Sequence, residues 1–190
     1  MTDAPHRPLD LGAAPERKPP YGIVDIGSNS VRLVVYDQLG RAPLPRFNEK
    51  SLCRLGEGLA ETGAIRPENF RRTIEATRRF AAIAEAMHVG ELDVTATEAI
   101  RRASNGPELA AAIERESGLK VRVLAGAEEA YYSTLGVVSG FFRPVGAVGD
   151  MGGGSLEVGL ALDDRVGDVS VSLPLGALPV ESLLATGRDE

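Results

Sequence analysis

The chain has 190 residues, 43% hydrophobic and 25% charged, which is the composition of a soluble globular protein with room for one or two cored domains. Its formal net charge of −6 argues against a generic nucleic-acid or polyanion binder: no specific nucleic-acid binding is expected, and a polyanionic substrate would need locally concentrated Arg, Lys or metal. One cysteine, Cys53, and two well-separated histidines exclude an internal disulfide and a zinc-type structural site. This fits a cytoplasmic location, and with no apolar run near the ~20 residues of a membrane span, no membrane partner is expected.

Residues 1–20 hold five prolines and almost no large apolar residue, and read as a disordered leader. Order is expected from Tyr21. The apolar runs Tyr21–Asp25 and Val31–Tyr36 predict two strands, and Pro45–Leu52 a third. Arg54–Arg66, with Gly56, Gly58 and Gly63, reads as a loop with a short turn. From Pro67 the period becomes helical: Phe70, Ile74, Thr77, Ala81 and Ala84 form a stripe widened by Ile83 and Met87, with Gly90 just past its end. Arg71, Arg72, Arg78 and Arg79 beside that stripe read first as a solvated helix face, with contact to a long polyanion as the lesser reading. A strand at Leu92–Thr97 follows, then a helix with Pro107 at its start, Asn105 or Gly106 as cap and Gly118 as stop. Val121–Leu124 predicts a short buried strand and Glu128–Val138 a third helix. Strands from Val145, over Leu156–Leu162 and over Val166–Leu173 complete the order.

Two polar turns in this order are near-copies. Asp25-Ile-Gly-Ser-Asn-Ser30 and Asp150-Met-Gly-Gly-Gly-Ser155 each lie between two strands, and a shift of 125 residues superimposes Asp25 on Asp150, Gly27 on Gly152 and Ser30 on Ser155. Turns of Gly, Ser and Asn expose backbone N–H groups, the way proteins hold phosphate oxygens. Two of them facing each other would clamp a phosphate, with two aspartates available for a hard cation such as Mg²⁺. A second copy as long as the first would run roughly a hundred residues further, so the second unit is expected to be incomplete.

Five segments together resemble the N-terminal portion of the exopolyphosphatase and guanosine pentaphosphate phosphohydrolase (Ppx/GppA) family, within the actin, Hsp70 and sugar-kinase superfamily. They are Asp25-Ile-Gly-Ser-Asn-Ser-Val-Arg-Leu33, Ala96-Thr-Glu-Ala-Ile-Arg101, Gly126-Ala-Glu-Glu-Ala130, Asp150-Met-Gly-Gly-Gly-Ser-Leu-Glu157 and Leu173-Pro-Leu-Gly-Ala177. The resemblance implies an α/β fold: a ribonuclease H-like βββαβα lobe over 21–143, then the truncated beginning of a second lobe of the same type over 144–190. It implies a hydrolase that releases terminal phosphate from inorganic polyphosphate or guanosine pentaphosphate, with Mg²⁺ as cofactor. Carried over by position, Glu129 would be the base that activates water, and Asp25 and Asp150 would support the metal and the attacking water. Gly27, Ser28, Asn29 and Ser30, with Gly152, Gly153, Gly154 and Ser155, would hold phosphate, and Arg101 would neutralise charge in the channel. A homodimer is compatible with this picture.

Other readings stand beside these. Glu128 and Glu129 at a helix start also suit the helix dipole, and Arg101 and Arg102 also suit a surface. Glu98 stands where the family usually has a small residue such as Ser, which places an extra carboxylate near the channel mouth. After Ala177 the resemblance fades, and the faces of Val145–Leu173 are expected to lie uncovered. A catalytically impaired fragment that binds polyphosphate, an alarmone or a partner is one alternative function. A sugar- or acetate-type kinase of the same superfamily is another.

Overall fold

The computed structural model describes residues 18–40 and 43–186, so the expected leader lies outside the described residues except for Lys18–Pro20. Strands β1 (Tyr21–Ile26), β2 (Ser30–Tyr36) and β3 (Pro45–Leu52) form an antiparallel meander. A one-turn helix α1 (Leu59–Thr62) and the long helix α2 (Pro67–Ala86) lead to β4 (Glu91–Ala96), which pairs parallel to β1. Helices α3 (Glu98–Arg102) and α4 (Gly106–Ser117) precede β5 (Arg122–Val123), parallel to β4. The resulting five-stranded sheet has the order β3-β2-β1-β4-β5. Helix α5 (Gly126–Gly140) crosses to a second, antiparallel sheet of β6 (Val145–Met151), β7 (Leu156–Leu162) and β8 (Arg165–Leu173), and α6 (Ala177–Thr186) follows.

One face of the first sheet carries the main core. Val24 and Ile26 of β1 alternate inward with Val31, Leu33 and Val35 of β2, and they meet Phe80 of α2 and Leu109 and Ile113 of α4. The other face of this sheet stays open, and that face builds the site described below. In the second sheet α5 packs across β6, β7 and β8. Gly159 makes this approach feasible, because a Cβ there would stand 1.9 Å from Thr134 Oγ1.

Several expectations are corrected. The buried line of α2 is Asn69, Thr73, Ala76, Thr77, Phe80 and Ala84, rotated from the expected stripe, whose Phe70, Ile74, Ile83 and Met87 pack on its flank. The rotation is affordable because the buried polar groups are satisfied: Asn69 Nδ2 donates to the Arg54 carbonyl at 2.7 Å, and Thr73 and Thr77 hydroxyls donate one turn back. The helix stops at Ala86, and the left-handed residue that terminates it is His88, not Gly90: His88 has φ 53°, and Val89 N–H closes onto the Ala84 carbonyl at 3.0 Å. Both residues of β5 are exposed, because it is an edge strand whose neighbour Leu124 goes inward instead. Helices α3 and α6 had no counterpart in the expected order. Asn105 does not cap α4 through its side chain; its amide brackets Ile65, accepting from Ile65 N–H and donating to Ile65 O at 2.9 Å each. The expected exposure of the second sheet is observed in β6, where Val145 is 77% and Met151 60% exposed.

Candidate active site

The two near-copied turns fold alike and touch. Gly27 N–H closes the first onto Ser30 O at 3.0 Å, and Gly152 N–H closes the second onto Ser155 O at 2.9 Å. Each turn is backed by a later segment that consumes its carbonyls. Cys53 and Arg54 N–H donate to Asn29 O, and Gly56 N–H to Ser28 O. On the other side Gly176, Ala177 and Leu178 N–H donate to Gly154, Gly152 and Gly153 O. The N–H groups of Ser28, Asn29 and Gly153 find no acceptor among the described residues. Their carbonyls are engaged from behind and their donors are not, which is the polarity an anion needs. At the seam between the turns a Cβ on Gly154 would lie 2.0 Å from Glu98 Oε2 and 2.5 Å from Ser28 Oγ, so the contact requires glycine there.

Glu98 is therefore not at a channel mouth. It is 5% exposed, beneath the turns, where it accepts from Ser28 Oγ at 3.3 Å and Arg102 Nη1 at 2.6 Å. Its longer side chain reaches past the cleft surface into the seam, and Arg102 neutralises it there.

A cleft of about 1210 Å³ opens over the turns. Asp25, Gly27–Ser30, Glu129, Asp150 and Gly152–Ser155 all line it, so every predicted site residue but one shares a single surface. The exception is Arg101, which does not line the cleft. Its guanidinium lies behind Glu129, donating to Glu129 Oε2 at 2.6 Å and to the Leu124 carbonyl at 2.7 Å. The neighbouring glutamates divide their roles. Glu128 accepts from Ala125 N–H at 2.8 Å and caps α5, whereas Glu129 faces the cleft.

Two residues carry more of the site than their sequence positions announced. Ser133, one helical turn after Glu129, lines the cleft and donates to Asp150 Oδ2 at 2.7 Å. The four-residue spacing on a helix was the available signal. Glu157 stands opposite Asp150 in the β6–β7 register, 5% exposed, and accepts from Ser172 Oγ at 2.8 Å. In the first copy the same position is Arg32, opposite Asp25, so the repeat exchanges a cation for a carboxylate.

The cleft is consequently acidic. Surrounding protein pushes the Asp25 carboxyl above its usual range; Arg32 opposes that and Asp150 adds to it. Burial likewise raises Glu129, the Arg101 hydrogen bond and charge oppose, and Glu157 and Asp25 add to the rise. Among the described residues no three metal-ligating side chains gather into a cage.

The Ppx/GppA phosphatase family profile matches residues 34–185. The chain belongs to the Ppx/GppA phosphatase family. It is 34% identical over 159 residues to exopolyphosphatase 1 of Mycobacterium leprae, an alignment covering 82% of this chain and 47% of that protein. The chain thus spans about half the length of the curated relatives it matches. The crystal structure of an exopolyphosphatase from Cytophaga hutchinsonii superimposes with a TM-score of 0.79 at 28% identity, covering 86% of this chain and 53% of that one. MreB5 of Spiroplasma citri superimposes with a TM-score of 0.50 at 14% identity, covering 92% and 58%, which extends the likeness to the actin-type fold alone. The expected α/β architecture, with an actin-like fold, is thereby observed.

Proposed function

We propose that this cleft hydrolyses a terminal phosphoanhydride, of inorganic polyphosphate or of guanosine pentaphosphate, with Glu129 as general base. The observation that carries the reading is a single arrangement: a partly buried carboxylate of raised pKa, fixed by Arg101 at 2.6 Å, on the wall of a cleft floored by two N–H-bearing turns. The exopolyphosphatase relative at 34% identity supports it. In this reading residues 21–143 form one lobe and 144–190 the beginning of a second, and the clamp lies where they meet.

Phosphoryl transfer asks a protein mainly for positioning and charge stabilisation. The N–H groups of Ser28, Asn29 and Gly153, with the hydroxyl-bearing Ser30 and Ser155 beside them, hold the non-bridging oxygens of the terminal phosphate. Glu129 accepts a proton from water as that water's oxygen bonds to phosphorus. The bridging P–O bond breaks, and the shortened chain departs with the electron pair. Arg101 holds the Glu129 carboxylate in its working orientation, and Ser133 does the same for Asp150.

Asp25 and Asp150 would hold Mg²⁺, which binds proteins through one or two carboxylates and completes its shell with water and phosphate oxygens. The fit rests on placement and donor chemistry: both carboxylates line the same cleft as the N–H-bearing turns, and the charge of Asp150 is felt at Asp25. When bound, the ion supplies neutralisation of phosphate charge in a cleft otherwise lined by carboxylates.

The test is phosphate release from polyphosphate with Mg²⁺. The wild-type chain is expected to release phosphate, and Glu129→Gln to lose at least about 100-fold in rate with its melting temperature retained. Full activity in that variant would remove Glu129 from the role. Binding of polyphosphate without release by the wild type would establish the non-catalytic function in its place.

A further inference from the structure

The pairing register aligns one row of residues across all five strands of the first sheet. Lys50 on β3 pairs with Arg32 on β2, Arg32 with Asp25 on β1, Asp25 with Thr95 on β4, and Thr95 with Arg122 on β5. Residues in register on neighbouring strands point to the same face. The row therefore lies on the open face, with Asp25 at its centre and cations at both ends. At about 4.8 Å between strands, the ends are roughly 19 Å apart. Lys50, Asp25, Thr95 and Arg122 line the cleft, and so does Lys120, two residues before Arg122.

Among the described residues, most arginines outside this row pair with a carboxylate, Arg72, Arg78 and Arg165 excepted. Arg46, Arg66, Arg79, Arg101, Arg102 and Arg143 are each engaged by a carboxylate. The ammoniums of Lys50 and Lys120 pair with none among the described residues. The chain contains only three lysines, Lys18, Lys50 and Lys120, and two of them stand at opposite edges of this one cleft. An acidic cleft in a chain of net charge −6 repels a polyanion unless cations flank it.

We propose that Lys50 and Lys120 are substrate-length determinants, two basic shoulders that hold a linear polyanion laid across the strands over Asp25. The ligand class is long-chain inorganic polyphosphate. A short anion at the turns cannot bridge both shoulders at once, because they lie toward opposite edges of the sheet. Stacking support for a nucleotide base is thin: among the described residues Tyr132 is the one aromatic side chain lining the cleft, and Arg122 already engages it, with Nη2 donating to its hydroxyl at 3.2 Å and the guanidinium 5.6 Å from its centroid. This inference rests on the phosphate-binding reading of the cleft.

The full 190-residue chain and its Lys50→Gln, Lys120→Gln and double variants would be titrated with tripolyphosphate and with long-chain polyphosphate over a range of salt. Each single variant is expected to bind the long chain about 5- to 10-fold more weakly and tripolyphosphate unchanged, with the salt slope for the long chain smaller by roughly one per lysine removed. Arg78→Gln, on α2, is expected to change neither. Equal losses for both ligands, or no loss for either, would overturn the assignment. Wild-type binding of tripolyphosphate with no added affinity for the long chain would overturn the shoulders and leave the central site standing. Binding of neither ligand would overturn both.

Discussion

Asp25 is the residue on which the cleft's electrostatics turn. Its carboxyl is raised by surrounding protein, and Asp150 adds to the rise. A raised carboxyl keeps its proton in the folded chain at a pH where the unfolded chain has released it. Its favourable contribution is therefore present at acidic pH and is lost as pH rises through the folded-state value. Asp25→Asn removes that term. The melting temperature of the wild type should fall more steeply than that of the variant as pH climbs from the ordinary carboxylate range toward neutrality. Mg²⁺ should raise the wild-type melting temperature at neutral pH and leave Asp25→Asn nearly unmoved. Parallel pH profiles would separate Asp25 from this role. The sequence made Asp25 conspicuous because it closes a strand before a Gly-Ser-Asn turn. It could not reveal that Arg101 acts on Glu129 instead of facing the cleft, because the two lie on different helices 28 positions apart and only the folded chain sets their orientation.

Elements were legible where period and punctuation agreed. The boundaries of β3 and β7 match the sequence pattern residue for residue, since each alternates or runs apolar between clear breakers. Helix α3 was not legible: five residues contain too little period to declare themselves. The α2 stripe misled because Asn69 and Thr73, polar by type, are buried through their own hydrogen bonds, while larger apolar neighbours flank the core. Its C-terminus yields a prediction at the same scale. His88 sits at φ 53°, where a side chain strains against its own backbone. His88→Gly should stabilise the chain by about 0.5–1 kcal/mol, read from urea unfolding midpoints at unchanged m. A loss of stability would mean that the imidazole contributes more than the strain costs.

At the scale of the molecule, the two sheets are finished to different degrees. The first buries one face under α2 and α4, and the second shelters β7 while leaving β6 at an edge with Val145 and Met151 open to solvent. An exposed apolar edge strand is a template for pairing with another chain. The chain is thus expected to self-associate as concentration rises, and Val145→Lys to reduce the apparent mass in light scattering at matched concentration. Mass that stays monomeric at every concentration would show that the edge is already protected. The likeness of the turns was visible as a 125-residue shift, whereas their contact through Gly154, Ser28 and Glu98 was not. Contact between distant turns is a property of the packed whole, and no local pattern encodes it.

The bond between Arg101 and Glu129 joins a helix seated on the first sheet to one seated on the second. Among the influences on Glu129, Arg101 is the one that lowers its pKa, and the others raise it. Rocking of one sheet away from the other would act on the glutamate in two opposed ways: stretching this bond removes the influence that lowers its pKa, while admitting water relieves the burial that raises it. The proton affinity of Glu129 therefore reports the balance between its arginine and its burial, and carboxylate titration followed by NMR, with and without Arg101→Gln, would separate the two.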